Sequence, residues 1–291
     1  MPEKKRKAIE KINLLISFLD EENDEILMSI EKELLSLNKQ ENTILKQLIS
    51  DIDNPDISRR IKNIVILNNF RFSETELLHW LSINDKSLFD LLTIIAKIEY
   101  PDLDCKSLRI HYDKILKEVW TSIPAEFSPL DVAKLLKSAF FNVQKFKMLP
   151  SNSIIVRHFM INDVLQTKET NKLFLNILYI CIARDLGIPI VPLMIESLLI
   201  LAFENKEPYN ISFIDNKFLF FIDNTTLSPY PDAKLRQKFN IKEDVDLPYE
   251  RFTDTEIATT LLNWLDNLYL QNKKELLSER IKSLIEKIEE K

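Results

Sequence analysis

The sequence NSIIVRHFMINDVLQTKETNKLFLNILYICIARDLGIPIVPL, residues 152–193, decides the fold. Its long apolar segment begins near Thr170 and ends at Gly187 and Pro189. Glycine adopts the left-handed conformation that caps a helix, and proline prevents a helix from continuing. Residues 190–195 follow directly and have the composition of a strand. We therefore predict a helix that leads straight into a sheet.

Downstream of this helix, three more segments have strand-like patterns: 198–203, 210–215 and 218–223. Asn216 and Lys217 separate the last two segments and predict a tight hairpin turn, although the turn lacks glycine. We expect these strands to form a small antiparallel sheet.

Upstream of residue 152 the sequence predicts helices only. Apolar residues recur at helical spacing within 26–37, 44–49 and 57–65, and Asp53-Asn54-Pro55 ends one helix before the next begins. Paired, short amphipathic helices of this kind resemble one or two HEAT-like repeats. Further helices are predicted over residues 87–98, 105–123 and 128–146.

The C-terminal segment predicts a helical hairpin. Residues 253–256 have the form of a capping box, and two helices with apolar faces follow. The predicted fold class is α+β and predominantly α-helical. We divide the chain into a helical region at 1–99, a core with a small antiparallel sheet at 100–245, and a helical hairpin at 246–291.

The central segment resembles the bacterial SirB-type transglutaminase-like family. That family has an Asn-Ser-Tyr-Leu-x-x-Val-Leu stretch, then Gly-Asn-Pro-Leu-Ser-Leu, then a helix that ends in Ala-Arg-x-Leu-Gly-Leu-Pro. The corresponding residues here are Asn152-Ser153, Asp163-Val164-Leu165, Asn171 and Ala183-Arg184-Asp185-Leu186-Gly187-Ile188-Pro189. Tyr100-Pro101-Asp102-Leu103-Asp104, Ser128-Pro129-Leu130 and Leu262-Asn263-x-Leu265 extend the resemblance over most of residues 20–285. It implies a transglutaminase/papain-like core behind a HEAT-like region.

The same resemblance implies where a catalytic site would lie. Transglutaminase-like enzymes place a Cys at the start of the central helix, a His on the next strand and an Asp or Asn on the strand after that. In this chain the Cys position falls at or next to Lys172, the His position at Leu198 and the acid at Asp223. We therefore expect a degenerate, non-enzymatic member of the family that acts as a protein-binding or scaffold module.

Composition excludes several other functions. The chain has 291 residues, a formal net charge of −6 and a single glycine, so neither a glycine-rich nucleotide loop nor a basic nucleic-acid surface is expected. Cys105 and Cys181 are the only cysteines, and no Cys/His spacing suggests a metal site. We expect no cofactor, no membrane or nucleic-acid partner, a protein partner, and a reducing, cytoplasmic location.

Two alternative functions stay open. A hydrolase or acyltransferase could use displaced residues of the same cleft, namely Glu196, Ser197 and Asp223 around Lys172, although adjacent strand residues point to opposite faces. The chain could also be a structural subunit of a larger assembly, which a large exposed apolar patch on the terminal helices would favour. A reactive pair of Cys105 with His111 is not expected, because six positions place the two side chains about 120° apart on a helix.

Overall fold

The computed structural model describes residues 3–21, 23–123, 128–150, 153–205 and 217–290. Twelve helices are assigned within these ranges: α1 (Glu3–Ser17), α2 (Asp24–Leu35), α3 (Lys39–Leu48), α4 (Pro55–Ser82), α5 (Leu88–Glu99), α6 (Cys105–Thr121), α7 (Pro129–Ser138), α8 (Ile161–Thr167), α9 (Lys172–Asp185), α10 (Asp232–Phe239), α11 (Asp254–Gln271) and α12 (Glu275–Glu289). The strands are β1 (Lys147–Met148), β2 (Glu169–Thr170), β3 (Ile190–Ile195), β4 (Leu198–Glu204), β5 (Phe218–Ile222), β6 (Pro229–Tyr230) and β7 (Glu250–Arg251).

Helices α1 to α4 pack around a small apolar core of their own. Helix α4 has 28 residues and is longer than the short helices that the sequence predicted, because no proline or glycine interrupts it after Pro55. Buried amides tie this layer together: Asn68 donates to the carbonyl oxygen of Leu34 at 2.8 Å and to the side chain of Asn42 at 3.0 Å.

Helix α9 is the centre of the largest apolar core, with ten consecutive buried residues after its first two residues. Asn171 caps its start by accepting a hydrogen bond from the amide of Phe174. Its end is a glycine cap in which Gly187 has φ +69° and the Ile188 amide donates to the carbonyl of Ala183. The predicted helix and its predicted C-terminal cap are confirmed.

The main sheet has five strands in the order β6-β5-β4-β3-β7, and every neighbouring pair is antiparallel. One face packs against α9 through Leu201, Phe203 and Ile222. The other face packs against α10 through Ile200 and Phe221, among others. Because successive side chains of a strand point to opposite faces, odd positions of β4 face α9 and even positions face α10.

The predicted C-terminal helical hairpin is confirmed: it consists of α11 and α12. Thr253 and Glu256 form the capping box at the start of α11, and Asp266 and Ser278 are hydrogen-bonded between α11 and α12. The hairpin packs into the same core as α5 and α9. That core therefore includes residues from all three predicted segments.

Two local predictions differ from the structure. The helix predicted over 128–146 is α7 followed by a π-helical turn, Ala139–Val143, and Lys145 then adopts a left-handed conformation with φ +58°. The strand predicted at 210–215 and the first turn residue, Asn216, lie outside the described residues. Strand β5 pairs directly with β4. No described helix combines the length and apolar character that crossing a membrane requires.

Candidate functional site

The candidate site lies where α9 begins beside the ends of β4 and β5. Lys172 is the first residue of α9, it is exposed, and its ammonium group has no hydrogen bond or ion pair within the described part of the chain. Asn171, just before it, is buried and donates to the carbonyl of His158 at 3.3 Å. The start of the helix is therefore held firmly by its cap, with a lysine on its outer side.

An amide network joins α9 to the sheet at this point. The buried side chain of Asn176 donates to the carbonyl of Lys172 at 2.6 Å and to the carbonyl of Asn224 at 2.8 Å. Asn224 in turn donates through its side chain to the carbonyl of Leu199 at 2.6 Å. Three segments, the first turns of α9, the start of β4 and the chain after β5, are thus bonded to one another by two asparagines.

Leu198 and Asp223 lie on the other face of the sheet. Leu198 shares the alternation of Ile200 on β4, which packs towards α10, and it is 47% exposed. Asp223 directly follows the last residue of β5, and its carboxylate is close enough to α10 to interact with the charge of Lys238. No described hydrogen bond or ion pair joins Asp223 to Lys172, and Leu198 shares the face of β4 that packs towards α10.

The carboxylate of Asp223 is used within its own loop. It accepts hydrogen bonds from the amides of Thr225 at 3.0 Å and Thr226 at 2.8 Å, and from the Thr226 hydroxyl at 3.0 Å. Burial alone would raise the pKa of Asp223, but the bonds from Thr226 and Thr225, with the charge of Lys238 on α10, lower it. Asp223 is therefore a turn residue, and its Oδ1 accepts three hydrogen bonds from within its own loop.

The residues that do face the start of α9 are Leu199 on β4 and Asn224 after β5. Reasoning from the sequence did not identify Leu199 and Asn224, because a family motif fixes residue order and only the sheet register fixes the face on which a side chain lies. One signal was present in the sequence. Asn176 is a lone polar residue inside the apolar run of α9, and a polar residue in that setting needs a hydrogen-bond partner.

Neither thiol lies at this site. Cys181 is completely buried in α9, nine residues after Lys172, and burial raises the pKa of its thiol to about 12. Its sulfur is 3.1 Å from the hydroxyl of Tyr112, which donates to Asp185 at 2.8 Å. A thiol in this setting stays protonated and inaccessible near neutral pH.

Cys105 begins α6 and is partly exposed. Its thiol donates a long contact of 3.5 Å to the carbonyl of Leu103, and Asp104 caps the helix by accepting bonds from the amides of Lys106 and Ser107. Burial, with the charges of Lys168 and Lys114, lowers the pKa of His111. No described contact joins Cys105 to His111.

The displaced-chemistry residues are also separate. Glu196 and Ser197 form the two-residue turn between β3 and β4, both with left-handed backbones at φ +47° and +64°. No described hydrogen bond or ion pair connects either of them to Lys172 or Asp223. Among the described residues, no group of three or more His, Cys, Asp or Glu side chains has the arrangement of a metal site.

Comparison with known proteins supports the family assignment for the central part of the chain. Residues 106–240 match the family model described as the transglutaminase-like superfamily. No curated protein and no solved structure matches the chain significantly. The matched residues include α9, strands β3 to β6 and the asparagine network between them. Residues 106–240 are therefore a domain of the transglutaminase-like superfamily.

Proposed function

We propose that this chain is a non-catalytic transglutaminase-like protein that works by binding another protein. One observation carries the proposal: at the junction of α9 with β4 and β5, the side-chain amide nitrogens of Asn176 and Asn224 donate hydrogen bonds to main-chain carbonyls. Acyl transfer through a thiol needs a thiolate and a neighbouring base. At this junction Leu199 lies on the sheet face towards α9, and the exposed group on the helix is a lysine.

We further infer that the domain is of the SirB type and that residues 1–99 are a HEAT-like helical region that serves binding. The support is the sequence resemblance, which extends on both sides of residues 106–240, and the layered packing of α1 to α4 around their own core. A cytoplasmic location and a protein partner, without nucleic acid or membrane, follow from the composition and remain part of this proposal.

The absence of catalysis is tested with activity probes. We would incubate the wild type and a C105S/C181S variant with a glutamine peptide and a labelled amine, and with thioester and ester substrates. No turnover above buffer is expected from either protein. Turnover by the thiol-free variant that disappears in K172A would overturn the proposal, because it would place working chemistry at the start of α9.

The binding role is tested separately by photo-crosslinking. A photoreactive amino acid at about ten exposed positions, spread over the described surface, would be introduced in the native organism. Discrete protein adducts at neighbouring positions, and at no others, are expected. A protein that forms no adduct at any position and carries no activity would overturn the binding role.

An enzyme with displaced residues is the second candidate, and the geometry gives it less support. Glu196 and Ser197 occupy an exposed turn, and Asp223 is committed to Thr225 and Thr226 on the α10 face. General acid–base chemistry requires groups within hydrogen-bond reach of one reacting atom. These residues are not gathered in that way.

A structural subunit is the third candidate. The large apolar side chains that are exposed on the described terminal helices are Trp264 and Leu270. Six residues separate them, so they lie about 120° apart around α11. Trp264 also stacks on Phe159, with ring centroids 5.7 Å apart. These two side chains do not form one continuous apolar patch, which gives little support to burial of this hairpin in an assembly.

A further inference from the structure

A groove separates the helical region from the C-terminal hairpin. Its wider part has a volume of about 560 Å³ and lies between α3, α4, the end of α5 and the turn from α11 to α12. A shallow extension shares Asn69 and Pro101 with it and continues along α4 to Glu76. From Asn63 to Glu76 the helix rises about 20 Å, which sets the length of the groove.

The floor of the groove is apolar and one of its side chains is open to solvent. Ile66 projects from α4 and is 38% exposed. Ile98 and Pro101 line the floor on one side, and Leu276 and Leu277 line it on the side of the hairpin. An apolar floor with a polar border is the usual anatomy of a protein-binding surface.

The side chains that line the border of the groove include more lysines than glutamates, although the chain as a whole is acidic. The lining side chains include lysines at positions 39, 46, 97, 273 and 274, against glutamates at 76, 99 and 275, in a chain of net charge −6. Three of the lysines are already paired: Lys97 with Glu76 at 2.5 Å, Lys274 with Glu99 at 2.6 Å, and Lys46 with Asp102 at 2.7 Å.

Two lysines have no ion pair within the described residues. Lys39 is the first residue of α3 and Lys273 lies in the turn before α12, so they belong to different parts of the groove border. Both are exposed. They are available to a carboxylate on an occupant, and such pairs raise the rate of encounter and set the orientation of binding.

We infer that this groove is the binding surface for one amphipathic helix of a partner protein, with an apolar face and acidic residues along its margins. The inference rests on the proposed binding function and names its surface and partner class. A groove of about 20 Å accommodates roughly thirteen residues of α-helix, whose i, i+3, i+4 and i+7 side chains would contact the floor. A small ligand would fill only the wider part.

The test uses designed peptides as probes, each about eighteen residues long with blocked ends. The first carries leucines at i, i+3, i+4 and i+7 and glutamates on the flanking positions. The second has lysines in place of the glutamates, and the third is the glutamate peptide with two central prolines. Calorimetry with the full chain should show saturable binding of the first peptide and at least tenfold weaker binding of the other two.

Matched variants locate the binding. I66E and K39E should each weaken binding of the glutamate peptide by about tenfold or more, which corresponds to about 1.4 kcal/mol. K39E keeps the fold, because an acid in the first turn of α3 is favoured by the helix dipole. I110E and K117E are the controls: both residues are exposed on α6, outside the groove lining, and binding should not change.

Three outcomes would overturn the inference: no binding of the glutamate peptide, equal binding of all three peptides, or equal loss in the groove and control variants. Crosslinking distinguishes this failure from failure of the proposed function. Adducts that form from positions on α6 or α10 and never from Ile66 would leave a binding protein whose surface is elsewhere. Absence of adducts from every position would contradict the proposed binding function.

Discussion

The side-chain amide of Asn176 donates a hydrogen bond of 2.8 Å to the main-chain carbonyl of Asn224, and this bond connects the central helix α9 to the chain that leaves β5. The same nitrogen also bonds the carbonyl of Lys172 at 2.6 Å. Both partners are acceptors, so the orientation of the amide is fixed by chemistry: its nitrogen must face them. Asn176 therefore joins the first turns of α9 to the chain after β5.

Asp in place of Asn176 should therefore be far more damaging than Ala. The aspartate of N176D has nearly the same shape as asparagine, but it places acceptor oxygens against two buried carbonyl oxygens. A buried, unpaired carboxylate lowers the free energy of unfolding by several kcal/mol. N176A loses the hydrogen bonds only and should cost about 1–3 kcal/mol. Urea unfolding measures both. Equal stability of N176D and the wild type would show that these two hydrogen bonds do not form.

The sequence predicts the helix and the strands of this junction, but it does not predict which face of the sheet packs against the helix. Helix α9, its glycine cap and strands β3 and β4 follow from local signals, because Gly187 and Pro189 end the helix and apolar strand residues follow directly. Which side of the sheet faces the helix depends on register, and a shift of one residue moves every side chain to the other face. The start of the site was thus predictable from Asn171 and Lys172, whereas the contributions of Leu199 and Asn224 were not.

The two thiols should differ strongly in reactivity. Cys181 is completely buried with a pKa raised to about 12 by burial, whereas Cys105 is partly exposed at the start of α6. In C105S, alkylation of the native protein by iodoacetamide near neutral pH should be at least about a hundredfold slower than in C181S. Unfolding in guanidinium should make the two variants react at similar rates. Rapid labelling of native C105S would contradict the buried position of Cys181.

Stability should fall on mild acidification, in part through His158. The residue is 5% exposed, and its Nδ1 accepts a hydrogen bond from the amide of Ile155 at 3.2 Å. Burial, with the charge of Arg157, lowers the pKa of His158 below 6.5. The unfolded chain therefore binds more protons between the folded pKa and about 6.5. The stabilisation by neutral His158 is complete above that range and is lost as the pH falls through it.

H158N tests this effect, because an asparagine oxygen can accept the same amide bond and does not titrate. Urea unfolding between pH 7.5 and 5 should give a smaller loss of stability for H158N than for the wild type. His111, whose pKa is also lowered, stays in both proteins, so the difference belongs to His158. Parallel pH curves for the two proteins would contradict the prediction.

The length of α4 and the packing of α5, α9 and α11 into one core could not be predicted from the sequence either. Helical spacing predicted the start of α4, but it did not predict that the buried polar side chain of Asn68 would be bonded to Leu34 and Asn42 across the layer. The single core that joins α5, α9 and α11 is a tertiary feature as well. An apolar face predicts that a helix packs against another element, but it does not predict which element that is.

Introducing a thiol and an imidazole by substitution can identify which face of the sheet packs against α9. In a C105S background, K172C places a thiol in the first turn of α9, where the helix dipole lowers its pKa below about 8.5. Adding L199H should lower that pKa further, by about one unit, because an imidazolium on the α9 face lies near the thiolate. Adding L198H instead should have little effect, since position 198 shares the face that packs towards α10.

The pH dependence of iodoacetamide alkylation gives each pKa, and the two histidine variants serve as controls for each other. A larger shift from L198H would mean that the residue order inferred from the family motif, and not the strand alternation, identifies the residue that approaches α9.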